Sequence, residues 1–473
     1  MSRSGQTDSI TSVVATGEER TKKFGKTLRG EIIRPGDDAY EKARSLWNGM
    51  IDKHPAMIVR CAGVADVITA VKFARGNGIP VSVRGGGHNV AGNALCDGGM
   101  VIDLSRMKAI RVDPAAGHAR AEGGVSWGEF DHETHIHGLA TTGGIVSTTG
   151  IAGFTLGGGI GWLMRKYGLA CDNLVSADVI TAEGRFIKAS AEQNQDLFWG
   201  VRGGGGNFGI VTSFKYRLHP VGPVTAGRII YAFEKAGDVL KFYKNYLADV
   251  PDELSTMVAF MTASSTPSLP APLHGRPAVS VIVCYTGPPE SGEEILRPLR
   301  KAFVPEVDSV RVMPYTELQS LFDGEAPWGL NNYWKSEYLA EISDRAIETI
   351  IEYAGRISSP LSQIHIQHLQ GAVGRVGEAD TAFSHRNAAF VVNIVSKWRI
   401  AAESERHIQW TRELAAAMTP FATGGVYVNF LGDEGDGRVR AAYGPEKYRR
   451  LSELKKKYDP DNFFRLNQNI KPA

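Results

Sequence analysis

The residues best suited to chemistry lie in one stretch, Arg84-Gly85-Gly86-Gly87-His88-Asn89, fed by an apolar strand-like run over 79–83. Three successive glycines strip a turn of backbone of its side chains. Consecutive N–H groups can then converge on an anion such as a phosphate. His88 follows at once, and a neutral imidazole is nucleophilic near pH 7. Further glycine clusters occur over 143–161 and 203–209. One elongated ligand with phosphates in its middle would use all three. Three unrelated tight turns are the plain alternative.

Standard nucleotide loops do not account for these glycines. Gly204, Gly206 and Gly209 match G-x-G-x-x-G, but a helix-like segment (196–199) precedes them and a strand-like one (210–214) follows. The dinucleotide fingerprint needs the opposite order. Met164 stands where the cluster starting at Gly159 would need its last glycine, and Arg20 where a phosphate loop ending in Lys26-Thr27 would need its first. In His132-Glu133-Thr134-His135-Ile136-His137 the histidines are three and two apart, not four as in a zincin. This reads as an exposed helix end, with a weak surface metal site as the alternative; no metal is expected.

The elements that must position these residues follow from periodicity. Segment 64–75 carries Val67, Ala70, Val71 and Ala74 on one helical face with Gly76 as a stop signal, and 126–138 is helix-like. Strands are expected over 56–59, 79–83, 100–104, 119–122, 175–182 and 209–219. After Pro220 the segments 228–233, 278–285, 364–373 and 389–398 are strand-like, several with period-two alternation, and helices over 236–247 and 345–356 lie between them. That pattern predicts an antiparallel sheet with one face covered. The partition expected is a leader over 1–50, loosely ordered up to about Pro35, a first domain over 51–222, a second over 225–420, and a tail over 421–473. The tail has no core of its own and is expected to pack back on the first domain.

Lys+Arg is 53 and Asp+Glu 51, a net charge of +2, which argues against nucleic acid as partner. The run Lys455-Lys456-Lys457 reads as a solvated face. The four cysteines lack C-x-x-C spacing, and Cys171 is expected in the core. The N-terminal residues hold no apolar h-region and no apolar run reaches ~18 residues, so a soluble, cytoplasmic protein without membrane contact is expected.

Taken in order, Arg84–Asn89, Gly157-Gly158-Gly159-Ile160-Gly161-Trp162-Leu163, Gly203-Gly204-Gly205-Gly206-Asn207-Phe208-Gly209-Ile210-Val211 and the tail Tyr458-Asp459-Pro460-Asp461-Asn462-Phe463 through Ile470 resemble the berberine bridge enzyme-like FAD oxidoreductases of the vanillyl-alcohol oxidase superfamily. The resemblance implies an α+β fold: a two-part PCMH-type FAD-binding domain, plus a substrate domain with an antiparallel sheet flanked by helices. It implies FAD held by Arg84, Gly85, Gly86, Gly87, His88, Asn89, Gly143, Gly144, Thr149, Gly150, Gly153, Gly157, Gly159, Gly161, Asn207, Gly209, Ile210, Val211, Asn467 and Asn469, with His88 bonded to the flavin. It further implies hydride transfer from a small-molecule alcohol, sugar or amine, with O2 as the expected acceptor. A dehydrogenase using another acceptor and a flavin-binding protein without activity are the alternatives.

Two departures stand out. Val146 occupies the place of a second flavin-linking cysteine, so a single covalent link is expected. Phe430 ends Tyr427-Val428-Asn429-Phe430 where the family carries a tyrosine base, and Gly374 or Arg375 replaces a glutamate. If 427–430 is a strand, Tyr427 and Asn429 share a face and Phe430 turns away. Tyr427, Asn429, Tyr333 and Arg375 are the expected catalytic residues, with Trp334 beside them in the pocket and His385 a weaker substitute base.

Overall fold

The computed structural model describes residues 18–266 and 269–473. Residues 1–17 of the expected leader lie outside it. Three large sheets organise the described chain, with a two-stranded ribbon of Leu139–Ala140 and His219–Pro220 beside them. In the first, Val81–Arg84 and Met57–Arg60 run parallel to Met100–Asp103 between them, and Glu31–Ile33 closes the edge antiparallel to Met57–Arg60. The helix Val64–Gly76 buries Val67, Ala70, Val71 and Ala74 against this sheet.

Residues 18–50 are therefore not a loose leader. Phe24 stacks on Phe73 at 4.1 Å, and Ile33, Tyr40 and Trp47 are buried. Burial of these four large apolar side chains offsets part of the chain entropy lost on ordering the segment.

The second sheet is antiparallel, in the order Ile110–Asp113, His118–Glu122, Ile210–Arg217, Leu174–Ile180, Phe186–Ser190. Helix Trp127–His135 starts at a capping box, where the Glu129 carboxylate accepts from the Ser126 amide at 2.9 Å. This helix carries His132 and His135. No cluster of three or more metal-ligating side chains occurs among the described residues.

The third sheet has eight strands and is antiparallel. Its centre runs Pro277–Tyr285, Leu254–Thr262, Gln363–His368, Phe390–Trp398, Asn331–Leu339. One face packs Val258, Ile364, Ile366, Val392 and Ile394 against the helices Ala236–Tyr246, Asp344–Ala354 and Ser404–Met418. The period of two then sends Gln363, His365, Gln367, Asn393 and Lys397 to the opposite face.

The tail shares a core with the second sheet: Val439, Tyr448, Leu451 and Ile470 pack with Phe208, Val211 and Phe214. Gly435–Tyr458 is two helices, broken at Gly444 (φ 72°) just before Pro445. Lys455 does not face solvent. It is fully buried, paired with Asp459 at 2.7 Å, and donates to the Asn207 and Phe464 carbonyls. The tail is thus bolted onto the last glycine cluster. All four cysteines are buried and free.

Candidate active site

A cavity of about 360 Å³ lies where the three sheets and the tail meet. One wall is mostly backbone. Gly85–Asn89 leave the first sheet, Gly144 to Gly153 cross them, and Gly205 to Val211 with Phe464 to Gln468 complete that side. The contact between the first two loops is close. A Cβ on Gly86 would lie 2.5 Å from the Gly150 backbone, and one on Gly150 2.5 Å from the Gly86 amide. Only glycine fits at either position.

The amides of Gly86, Gly87, His88 and Asn89 have no hydrogen-bond acceptor among the described residues. Four unpartnered donors in a row beside a cavity are suited to an anion. Asn467 Oδ1, on the cavity lining, is likewise buried and unpartnered, and an orphaned polar group of this kind is rare without a ligand. These features fit a pyrophosphate-bearing cofactor.

His88 is half-buried. It stacks on Trp47 at 5.2 Å and meets Trp328 edge-on at 5.5 Å. Burial pushes its pKa down to about 4, so the ring is neutral at pH 7. Its Nε2 pairs with the Thr148 hydroxyl at 3.1 Å. Trp47 comes from the segment expected as leader, so that segment helps build the site. Val146 lines the same cavity.

Of the expected cofactor residues, Gly85, Gly86, Gly87, His88, Asn89, Gly144, Thr149, Gly150, Gly153, Asn207, Gly209, Ile210, Val211 and Asn467 line the cavity. Arg84, Gly143, Gly157, Gly159, Gly161 and Asn469 stand behind it. Gly161 is needed for packing, since a Cβ there would sit 1.8 Å from the Gly143 carbonyl oxygen. Gly159 presents its N–H to Tyr427.

The expected catalytic set divides. Tyr427 and Asn429 line the cavity with Trp334. Residues 428–430 form a short 3-10 turn rather than a strand, so Phe430 also enters the cavity, edge-on to Tyr427 at 4.8 Å. The Tyr427 oxygen accepts from the Gly159 and Ile160 amides (2.9 and 3.3 Å) and from Asn429 Nδ2 (3.0 Å). Burial nevertheless pushes the phenol up to about 12, and it stays protonated at neutral pH.

Tyr333 and Arg375 are not brought to the cavity. The Tyr333 hydroxyl faces outward to Arg412 at 3.2 Å. Arg375 is exposed on a short helical turn and pairs with Asp252. His385 bonds the Ala441 carbonyl at 2.8 Å behind the site.

The second wall was missed in the sequence. Gln363, His365, Gln367, Asn393 and Lys397 reach the cavity from two neighbouring strands, with Glu325 and Phe322 beside them. The signal was present in Gln363-Ile364-His365-Ile366-Gln367, whose alternation marks one polar and one core face.

Comparison with known proteins agrees with this geometry. Residues 55–190 match a FAD binding domain model and 426–471 a berberine and berberine-like model. The chain is 33% identical over 456 residues to (R)-6-hydroxynicotine oxidase of Paenarthrobacter nicotinovorans, covering 94% of this chain and 97% of that one. A FAD-linked oxidoreductase of Dictyostelium discoideum is 32% identical, covering 95% and 96%. The crystal structure of 6-hydroxy-D-nicotine oxidase from Arthrobacter nicotinovorans superposes with a TM-score of 0.86 at 32% identity, over 94% of this chain and 98% of that one. The chain belongs to the berberine bridge enzyme-like FAD-linked oxidoreductases. As a member of that family it is a FAD-dependent enzyme of α+β fold. No helix among the described residues is long and apolar enough to cross a membrane.

Proposed function

We propose that the protein is an oxidase that takes hydride from a substrate C–H next to an O–H or N–H and passes the electrons to O2, giving hydrogen peroxide. The observation that carries this reading is the pairing of two unlike walls across one cavity. Free amides and His88 face a row of substrate-sized polar side chains on the third sheet. FAD, when bound, supplies the hydride acceptor.

The chain's own groups do the rest. The Gly86–Asn89 amides and the loop at Gly150 hold the two phosphate charges. His88 grips the flavin covalently. In the tautomer whose Nε2–H donates to the Thr148 hydroxyl, the other ring nitrogen keeps its lone pair for that bond. Val146 offers no thiol, so His88 makes the single link. Tyr427, locked by three N–H donors, and Asn429, whose Nδ2 also donates to the Phe154 carbonyl at 3.0 Å, fix the floor beneath the substrate. Trp334 and Phe430 exclude water from one side.

Purified protein should be yellow, and acid precipitation should leave the colour in the pellet. A panel of alcohols, sugars and amines should contain at least one that bleaches the flavin anaerobically and yields peroxide in air. Bleaching without oxygen uptake would make the protein a dehydrogenase. A colourless pellet would sink the covalent link.

A further inference from the structure

Lys397 is a buried cation with no anion. Its side chain is 5% exposed, yet it lines the cavity. Two of its three donors are spoken for, by the Glu325 carbonyl at 2.9 Å and Gln363 Oε1 at 3.4 Å. The nearest carboxylate is already taken: Glu325 pairs with Arg228 and accepts from Gln363 Nε2 at 2.7 Å. Buried charges are ordinarily paired, because removal from water is costly. One N–H of Lys397 and one unit of charge are therefore left for a ligand.

The surroundings narrow that ligand. His365 donates from Nε2 to Gln363 Oε1 at 2.9 Å and is held neutral, its pKa pushed down to about 3 by burial and by Lys397. Gln367 Oε1 and Asn393 Oδ1 are unpartnered acceptors on the same face. Neither can neutralise Lys397. Flat rings line the same cavity: Trp334, on the strand paired with that of Lys397, and Phe430, edge-on to each other at 5.6 Å.

Taking the cavity as the substrate site, as under the proposed function, we infer that it selects an aromatic hydroxy compound, bound with its acidic oxygen on Nζ of Lys397 as a phenolate–ammonium pair. On binding, the phenol O–H bond breaks. Its proton goes to Nζ where that group is an amine, or to water where it is already an ammonium; no electron moves. Burial and Arg228 push Lys397 down to about 8, against the opposing pull of Glu325. With His365 neutral, the ammonium form prevails below that pH. The Gln367 and Asn393 oxygens then accept from a second O–H or N–H of the same ligand.

The probe is 4-nitrophenol, whose anion absorbs visibly, titrated into full-length FAD-loaded protein at a pH where the free probe is mostly protonated. The nitrophenolate band should grow on binding. The methyl ether, 4-nitroanisole, should bind at least tenfold more weakly. Lys397→Met should abolish the band and weaken binding at least tenfold, whereas Lys397→Arg should restore both. Equal binding of the ether, binding of 4-nitrophenol without the anion band, or a band that survives in Lys397→Met would overturn the inference. If Lys397→Met fails to fold, the phenol–ether pair on unmodified protein decides. Flavin absorbance in the same cuvette separates the two readings: flavin present without the anion band removes only this inference, whereas absence of flavin removes the proposed function itself.

Discussion

The two walls of the cavity are made of opposite materials. The first is backbone: glycines in contact at Gly86 and Gly150, with amides free of partners. The second is side chain: amides, an imidazole and an ammonium projecting from paired strands. A backbone wall binds a constant group and tolerates no added atom. A side-chain wall can change its chemistry one residue at a time while the sheet beneath stays paired. Relatives of one architecture can thus share a cofactor and differ in substrate.

The sharpest way to break this contrast is Gly86→Ala. The new Cβ meets backbone that cannot rotate away. A stability loss of about 3 kcal/mol is expected, with flavin content falling to near zero by absorbance ratio. Normal flavin loading would refute the backbone-wall account.

Next comes the seam between the walls. Asp131, on the helix Trp127–His135, accepts from Gln319 Nε2 at 2.9 Å from the third-sheet side. Burial raises its carboxyl to about 7. A raised acid pKa means the unfolded chain releases this proton first. Stability contributed here should therefore fall as pH rises from about 4 to about 7 and level off above. Asp131→Asn removes the titration, so its melting temperature should gain on that of the parent across that window. Parallel curves would exclude the seam as a titrating contact.

A smaller effect is expected for Tyr427→Phe. It leaves the Gly159 and Ile160 amides and one N–H of Asn429 without an acceptor, costing about 1–3 kcal/mol, read from denaturant midpoints. His88→Ala should barely move the melting temperature, yet acid should then release all flavin into the supernatant. The smallest stability change belongs to the second wall. Gln367→Leu removes an already unpartnered oxygen and should stay within about 0.5 kcal/mol, while shifting KM for whatever substrate the panel finds. A large loss of stability there would mean that the wall is structural rather than a ligand surface.

These differences track what could be read along the chain. The glycine clusters announce themselves because side-chain-free backbone is built by consecutive residues, and Gly85–His88 sets three glycines beside an imidazole within four positions. The same local reading misjudged residues 18–50, whose apolar side chains are widely spaced and reveal their partners only once Phe73 and His88 are placed beside them. It also set Lys455 in solvent, since three lysines in a row give no hint of Asp459 closing over the first. Tyr333 and Arg375 were drawn toward the site by residue type alone; strand register turned Tyr333 outward, and Arg375 ends a short helical turn at the surface.

The order of the glycine clusters and the tail motif was enough to mark the resemblance to FAD-linked oxidoreductases, and Gly85–His88 sets a side-chain-free turn directly before an imidazole. Both are read from neighbours in sequence. The substrate wall was decided by tertiary structure. The antiparallel register puts His365 opposite Asn393, and Arg228 arrives from another strand to take up the Glu325 carboxylate. Whether a buried lysine keeps a partner depends on which charges the fold brings within a few ångströms, and chain separation holds no information about that distance.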